Sequence, residues 1–180
     1  LGFCPEGQDC EDAYDYAIRL LKDKPANKAK EPIDRTAPQL KMIQITDIHY
    51  DERYIINGTI YCDTPLCCRE PSSQYARLTS GKYGGIKNCD TPLDTLRSFV
   101  QTAYDLNPDF IIWTGDNMAH DAWNSSQEEV YSSTQGIKDT IDEVFQHSIP
   151  VYPCIGNHEV HPNDLWKSGN VEVFQNLADI

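Results

Sequence analysis

Three short apolar runs each stop abruptly on polar, chemically capable side chains. Met42-Ile43-Gln44-Ile45-Thr46 ends in Asp47-Ile48-His49, and Phe110-Ile111-Ile112-Trp113-Thr114 ends in Gly115-Asp116-Asn117. Pro150-Val151-Tyr152-Pro153-Cys154-Ile155 ends in Gly156-Asn157-His158-Glu159. Short runs of this composition predict strands. Between them the period becomes helical: Leu93, Leu96, Val100 and Ala103 form one stripe, and Val130, Ile137, Ile141 and Val144 another. The punctuation agrees. Thr91-Pro92 predicts an N-cap and a first helical position, Asn107-Pro108 a helix end, and Ser125-Ser126-Gln127-Glu128 a capping-box start. The order strand, helix, strand, helix, strand predicts an α/β fold with three parallel strands.

Two stretches do not fit this alternation. Tyr50 to Asn88 is irregular and too long to be an idle connection. Upstream, Tyr14, Ala17, Ile18 and Leu21 predict a lone helix within residues 4–24, whose apolar face has no partner in the sequence before it. The proline-punctuated, charged stretch 25–39 reads as a linker. The expected organisation is therefore a tail at 1–24, a linker at 25–39 and a catalytic domain at 40–180. The echo Cys-Asp-Thr-Pro-Leu at 62–66 and 89–93 reads as shared turn chemistry and not as a domain repeat.

Composition narrows the classes. The 180 residues, 39% of them apolar, suffice for one ordinary core, and the formal charge of −13 argues against a nucleic-acid surface. No stretch approaches the roughly 18 consecutive apolar residues of a spanning helix. Leu1-Gly2-Phe3-Cys4 has no basic start or apolar signal region, so the sequence is expected to begin after processing or to be a piece. Seven cysteines, four of them crowded at Cys62, Cys67, Cys68 and Cys89, suggest disulfides. The adjacency of Cys67 and Cys68 lacks the spacing of a zinc ribbon. Together with sequons at Asn57 and Asn124, the cysteines suggest a glycoprotein that is secreted or lysosomal. Cys154, inside a strand, is expected to be a buried free thiol. His147 is expected to complement a helix dipole, and His161 has no assigned role.

Ligands of open α/β sheets bind at the carboxyl ends of the strands, so the three polar endings should converge. Asp47, His49, Asp116 and Asn157 would meet there. Carboxylate, imidazole and amide oxygen suit a divalent cation, and the lack of thiolate argues against a closed structural zinc site. Two ions about 3.5–4 Å apart, bridged by one carboxylate, are a usual device for attacking phosphate esters. Taken singly, Asp47 is a turn or cap residue and Gly115-Asp116-Asn117 an ordinary turn. The shared context and order carry the reading.

That series, Asp-x-His, Gly-Asp and Gly-Asn-His-Glu, resembles the calcineurin-like metallophosphoesterases. Asp116-Asn117-Met118-Ala119-His120-Asp121-Ala122-Trp123 and Cys62-Asp63-Thr64-Pro65-Leu66-Cys67-Cys68-Arg69 resemble the acid sphingomyelinase branch, over about Leu40 to Phe174. Residues 4–24 resemble, far more weakly, the end of the saposin-like domain that precedes catalysis in that branch. The resemblance implies the βαβαβ half of a helix-flanked β-sandwich, and a zinc-dependent phosphodiesterase that hydrolyses sphingomyelin to ceramide and phosphocholine at a membrane surface. It implies two Zn2+: Asp47 and His49 on one ion, Asp116 bridging, Asn157 on the other. It gives His158 and His120 the roles of protonating the leaving oxygen or steadying phosphoryl charge, and Glu159 that of orienting an imidazole. It pairs Cys62 with Cys67 and Cys68 with Cys89. Cys4 and Cys10 are expected either to pair with each other or to have lost upstream partners.

The family also supplies three further histidine ligands in Gly-His and Gly-His-x-His contexts, whereas after Asn157 this sequence has only His158 and His161. A companion chain or a C-terminal continuation is expected to provide them. Two other readings stand beside this one: a related phosphodiesterase acting on nucleotides or other phosphodiesters, and a catalytically inert lipid- or partner-binding piece.

Overall fold

The computed structural model describes residues 36–167 and 169–180. The helix expected within 4–24, Cys4 and Cys10, and all of the 25–39 linker but its end lie outside the described residues. Leu40–Ile180 forms one compact unit. In chain order its elements are β1 (Met42–Ile45), α1 (Leu93–Asp105), β2 (Phe110–Trp113), α2 (Gln127–Phe145), β3 (Val151–Pro153) and α3 (Val171–Asp179). Single 3-10 turns cover Ala122–Asn124 and Asn157–Glu159. The strands form one parallel sheet in the order β1-β2-β3, with Ile43 opposite Ile111 and Ile111 opposite Val151. This is the βαβαβ arrangement that the alternation of periods predicts.

The apolar stripes explain why the helices pack where they do. Leu96, Val100 and Ala103 of α1 are buried, as are Val130, Ile137 and Ile141 of α2. Of these, all but Val130 join Phe145 in one cluster with Ile45, Ile111 and Trp113 of the sheet and Ile48 beyond it. Each fully buried aliphatic contributes about 1.5–3 kcal/mol. Ser126 caps α2 by accepting the Glu129 N–H (3.3 Å), and Gln146 closes it in a left-handed conformation at φ 47°. His147 follows, with Nδ1 3.7 Å from Asp142 Oδ1.

Two expectations are corrected. The N-cap of α1 is Pro92 and not Thr91. Thr91 is committed elsewhere: its N–H donates to the His49 carbonyl (3.1 Å) and its own carbonyl accepts from Asp51 (2.9 Å). Cys154 is free, as expected, but exposed. Among the described residues β3 is the edge strand, and it ends at Pro153, so Cys154 extends the ladder only through its N–H, which donates to the Trp113 carbonyl (2.6 Å), and the residue stays exposed.

The long segment after β1 is ordered without regular elements. It is held by isolated bridges such as Gly58 with Pro71 and Thr59 with Thr79. Two disulfides staple it, Cys62–Cys67 and Cys68–Cys89, with Cα separations of 5.7 and 5.6 Å. Asn57 and Asn124 are both exposed.

Candidate active site

The site begins as a backbone arrangement. Past the last strand residues the β1 and β2 loops stay paired: the N–H groups of Asp47, His49 and Tyr50 donate to the carbonyls of Gly115 (3.1 Å), Asp116 (3.1 Å) and Asn117 (2.7 Å). That pairing holds Asp47, His49 and Asp116 at φ 52°, 44° and 57°. Non-glycine residues held in sparsely populated backbone regions cost of order 1–3 kcal/mol each, and they persist only where their surroundings over-determine them.

Glu159 supplies much of that determination. It is 1% exposed. Its carboxylate accepts the N–H groups of Asp116 (3.0 Å), Asn117 (2.8 Å) and Gly156, tying the β2 loop to the β3 loop. The resemblance gives this residue to an imidazole; here it clamps backbone instead. Space is as tight as the bonding. A Cβ on Gly115 would lie 2.3 Å from Glu159 Oε2, and one on Gly156 would lie 2.3 Å from Asp116 Oδ1. Asn117 is buried, its amide held between Trp113 Nε1 (2.9 Å) and Thr134 (3.3 Å), so it packs and does not face the site.

Onto this frame the chain places two overlapping groups. Ligand atoms of Asp47, His49 and Asp116 lie within 4.8 Å of one another, and so do those of His49, His120 and His158. His49 belongs to both. Its Nδ1 is 2.8 Å from the Met118 carbonyl, which can only accept, so the proton sits on Nδ1 and Nε2 keeps a lone pair for a cation. The His120 ring stacks on His49 at 3.8 Å, and His158 meets both rings edge-on at 5.3 and 4.8 Å. Burial, and then the neighbouring His49, lower the pKa of His158 below the ordinary imidazole value. The Asn163 amide nitrogen reaches its Nδ1 at 2.7 Å, leaving the ring proton on Nε2. The Asp116 carboxylate accepts the His158 N–H (3.0 Å). Asn157 is exposed at the β3 rim, at the start of the turn that carries His158.

Two supports escape a reading of the sequence. Asp90 grips His120 twice, at its N–H (2.6 Å) and at Nδ1 (3.0 Å). Arg69 holds the buried Asp51 through Nε and Nη2 (both 2.9 Å), and also the buried Asp121, one residue beyond His120. The available signal was position: Arg69 and Asp90 each directly follow a cysteine of the Cys68–Cys89 disulfide. His147 and His161 stand apart, on Asp142 and on Ser125. A cavity of about 750 Å³ between α2, α3 and the β3 edge is lined by apolar residues such as Trp113, Ile141 and Phe174. None of the clustered imidazoles or carboxylates lines it, so it is not the chemical centre.

Two carboxylates and an imidazole lone pair, without thiolate, fit a divalent cation that keeps open positions. Two further imidazoles beside them, His120 and His158, offer proton donors. Such a cluster, at the carboxyl edge of a parallel sheet, defines a metal-dependent hydrolytic site. The sequence profile of the calcineurin-like phosphoesterases, a family that binds metal ions, matches residues 40–179, and the chain belongs to that family. It is similar to sphingomyelin phosphodiesterase A of Dictyostelium discoideum, 35% identical over 127 residues, which are 69% of this chain and 21% of that protein. It is similar also to sphingomyelin phosphodiesterase of Homo sapiens, 34% identical over 125 residues, 68% of this chain and 20% of that protein. Sphingomyelinase phosphodiesterase C of Dictyostelium discoideum is 36% identical over 146 residues, 78% of this chain and 31% of that protein. The chain thus spans about a fifth to a third of the length of these curated relatives.

Proposed function

We propose that this chain carries the first part of a sphingomyelin phosphodiesterase site, hydrolysing sphingomyelin to ceramide and phosphocholine with two zinc ions. The observation that carries the reading is the shared position of His49, within reach of Asp47 and Asp116 on one side and of His120 and His158 on the other. Asp47 and His49 would hold one zinc, Asp116 would bridge, and Asn157 would belong to the other. Bound there, the pair supplies charge neutralisation at the phosphoryl oxygens and a water acidic enough to attack phosphorus near neutral pH.

The chain's own residues supply the remaining chemistry. His120 is half-exposed and its Nδ1 is held by Asp90, which leaves Nε2 free to meet a substrate. As the oxygen of water bonds to phosphorus and the bond from phosphorus to the ceramide oxygen breaks, the His120 imidazolium gives its Nε2 proton to that oxygen. His158, neutral and carrying its proton on Nε2, donates a hydrogen bond to a phosphoryl oxygen.

A catalytic zinc usually takes about three protein ligands. Asp116 and Asn157 are two, so we place further imidazoles for the second ion on residues outside this sequence, in a companion chain or a continuation. The disulfides and the exposed Asn57 and Asn124 support a glycosylated protein of the secretory or lysosomal route. The test is zinc content together with phosphocholine release from sphingomyelin. Residues 1–180 alone should bind at most one zinc tightly and release no phosphocholine above background. A partner bearing the missing imidazoles should restore the second ion and turnover. Two tight sites or clear turnover in the isolated chain overturns the split-site reading, and a reconstituted enzyme that cleaves nucleotide diesters but not sphingomyelin overturns the substrate.

A further inference from the structure

One stretch of the surface departs from the charge of the whole. The chain has a formal net charge of −13, yet residues 71–88 contain Arg77, Lys82 and Lys87 and neither Asp nor Glu. Lys82 reaches Asp94 of α1 at 3.4 Å, while Arg77 and Lys87 have no acidic partner among the described residues. The same stretch exposes large apolar side chains: Tyr75 is 83% exposed, Ile86 74%, Tyr83 64% and Leu78 53%, with Tyr61 at 64%. These residues share one folded lobe. Thr59 bridges Thr79, Gly58 bridges Pro71 and Gly81 bridges Gly84, and Lys87 Nζ stands 5.7 Å over the Tyr61 ring. Exposed apolar residues scattered singly need no explanation, whereas a cluster marks a contact surface. Aromatic rings interleaved with long cations suit a bilayer interface, where rings sit among headgroups and Lys and Arg stems extend past them. An acidic protein is repelled by an anionic bilayer, so approach requires a local cationic face of this kind.

The lobe is also joined to the active site. The Cys68–Cys89 disulfide closes it, and the next residue, Asp90, holds His120. The Thr95 hydroxyl of α1 donates to the Tyr83 carbonyl at 2.9 Å. The lobe and the His120 support are thus consecutive along the chain and tied by one disulfide.

We propose that residues 71–88, with Tyr61, form the face by which this protein docks on an anionic phospholipid bilayer; the inference rests on the phospholipid reading of the adjacent site. Co-sedimentation with phosphatidylcholine vesicles, with and without phosphatidylserine, tests it. The protein should bind the phosphatidylserine vesicles, and added salt should release it. Replacing Arg77, Lys82 and Lys87 with Ala should weaken that binding about a hundredfold. Tyr75→Ser/Leu78→Ser/Ile86→Ser should weaken binding too, and Tyr75→Ser alone gives the same direction if the triple variant unfolds. A wild-type protein that does not sediment with vesicles, or variants that bind as it does, overturn the proposal. Concentration-dependent self-association abolished by the same substitutions overturns it in favour of a second copy of this chain. Vesicle binding lost in the variants, with sphingomyelin left intact by the active assembly, keeps the docking face and overturns the substrate reading. Sphingomyelin hydrolysed in detergent micelles, with vesicle binding unchanged in the variants, does the reverse.

Discussion

Replacing Glu159 with Gln is nearly isosteric, so it leaves no cavity and isolates the carboxylate's part in the site. Oε2 accepts from Asp116 and Gly156, and Oε1 accepts from Asn117. The best placement of the Gln amide puts its oxygen at the Oε2 position and its NH2 against the Asn117 N–H, donor facing donor. Leaving that buried N–H without a partner costs about 1–3 kcal/mol. The two bonds that survive change from charge-assisted to neutral and lose about half their strength, or about 1 kcal/mol together. Relief of the cost of burying a charge offsets part of this. The expected loss is about 2–3 kcal/mol, read as a lower urea midpoint at unchanged slope. Because Glu159 also holds the Asp116 backbone at φ 57°, zinc affinity should fall with stability. A variant within about 0.5 kcal/mol of the wild type, the ordinary range of a surface change, would refute this account of the clamp.

Other outcomes follow from the same geometry. Gly156→Ala puts a Cβ 2.3 Å from Asp116 Oδ1, so Asp116 must move, and zinc titration should show a large loss of affinity. Arg69→Met leaves the buried Asp51 with no cation and only the Arg53 N–H (3.0 Å), and leaves Asp121 with Arg53 alone (3.4 Å), so it should cost about 3–5 kcal/mol in thermal or urea unfolding. A loss below about 1 kcal/mol would mean that Arg53 and water already satisfy the two carboxylates. Asp116→Asn should remove more zinc than His120→Ala, since a shared ligand serves both ions and a proton donor serves one step. Equal zinc loss in the two variants would make His120 a ligand.

Much of the fold is local in origin and therefore legible. The three apolar runs and the two helical stripes give the order of elements from β1 to β3, because periodicity depends only on neighbours along the chain, whereas α3 (Val171–Asp179) is not among the elements predicted from the pattern. The carboxyl-edge rule then brings Asp47, His49 and Asp116 to one place without coordinates. What remained hidden depends on contacts that sheet closure alone creates. Glu159 reaches Asp116 across 43 residues, Asp90 reaches His120 across 30, and Arg69 reaches Asp121 across 52. No local pattern encodes such partners, so Glu159 read as an imidazole partner when it is a backbone clamp. Thr91 has the composition of an N-cap, yet its backbone groups bond His49 and Asp51, and the cap moves to Pro92. Cys154 continues an apolar run, but burial requires a neighbour on each side; β3 is the sheet edge among the described residues, and that position leaves the residue exposed.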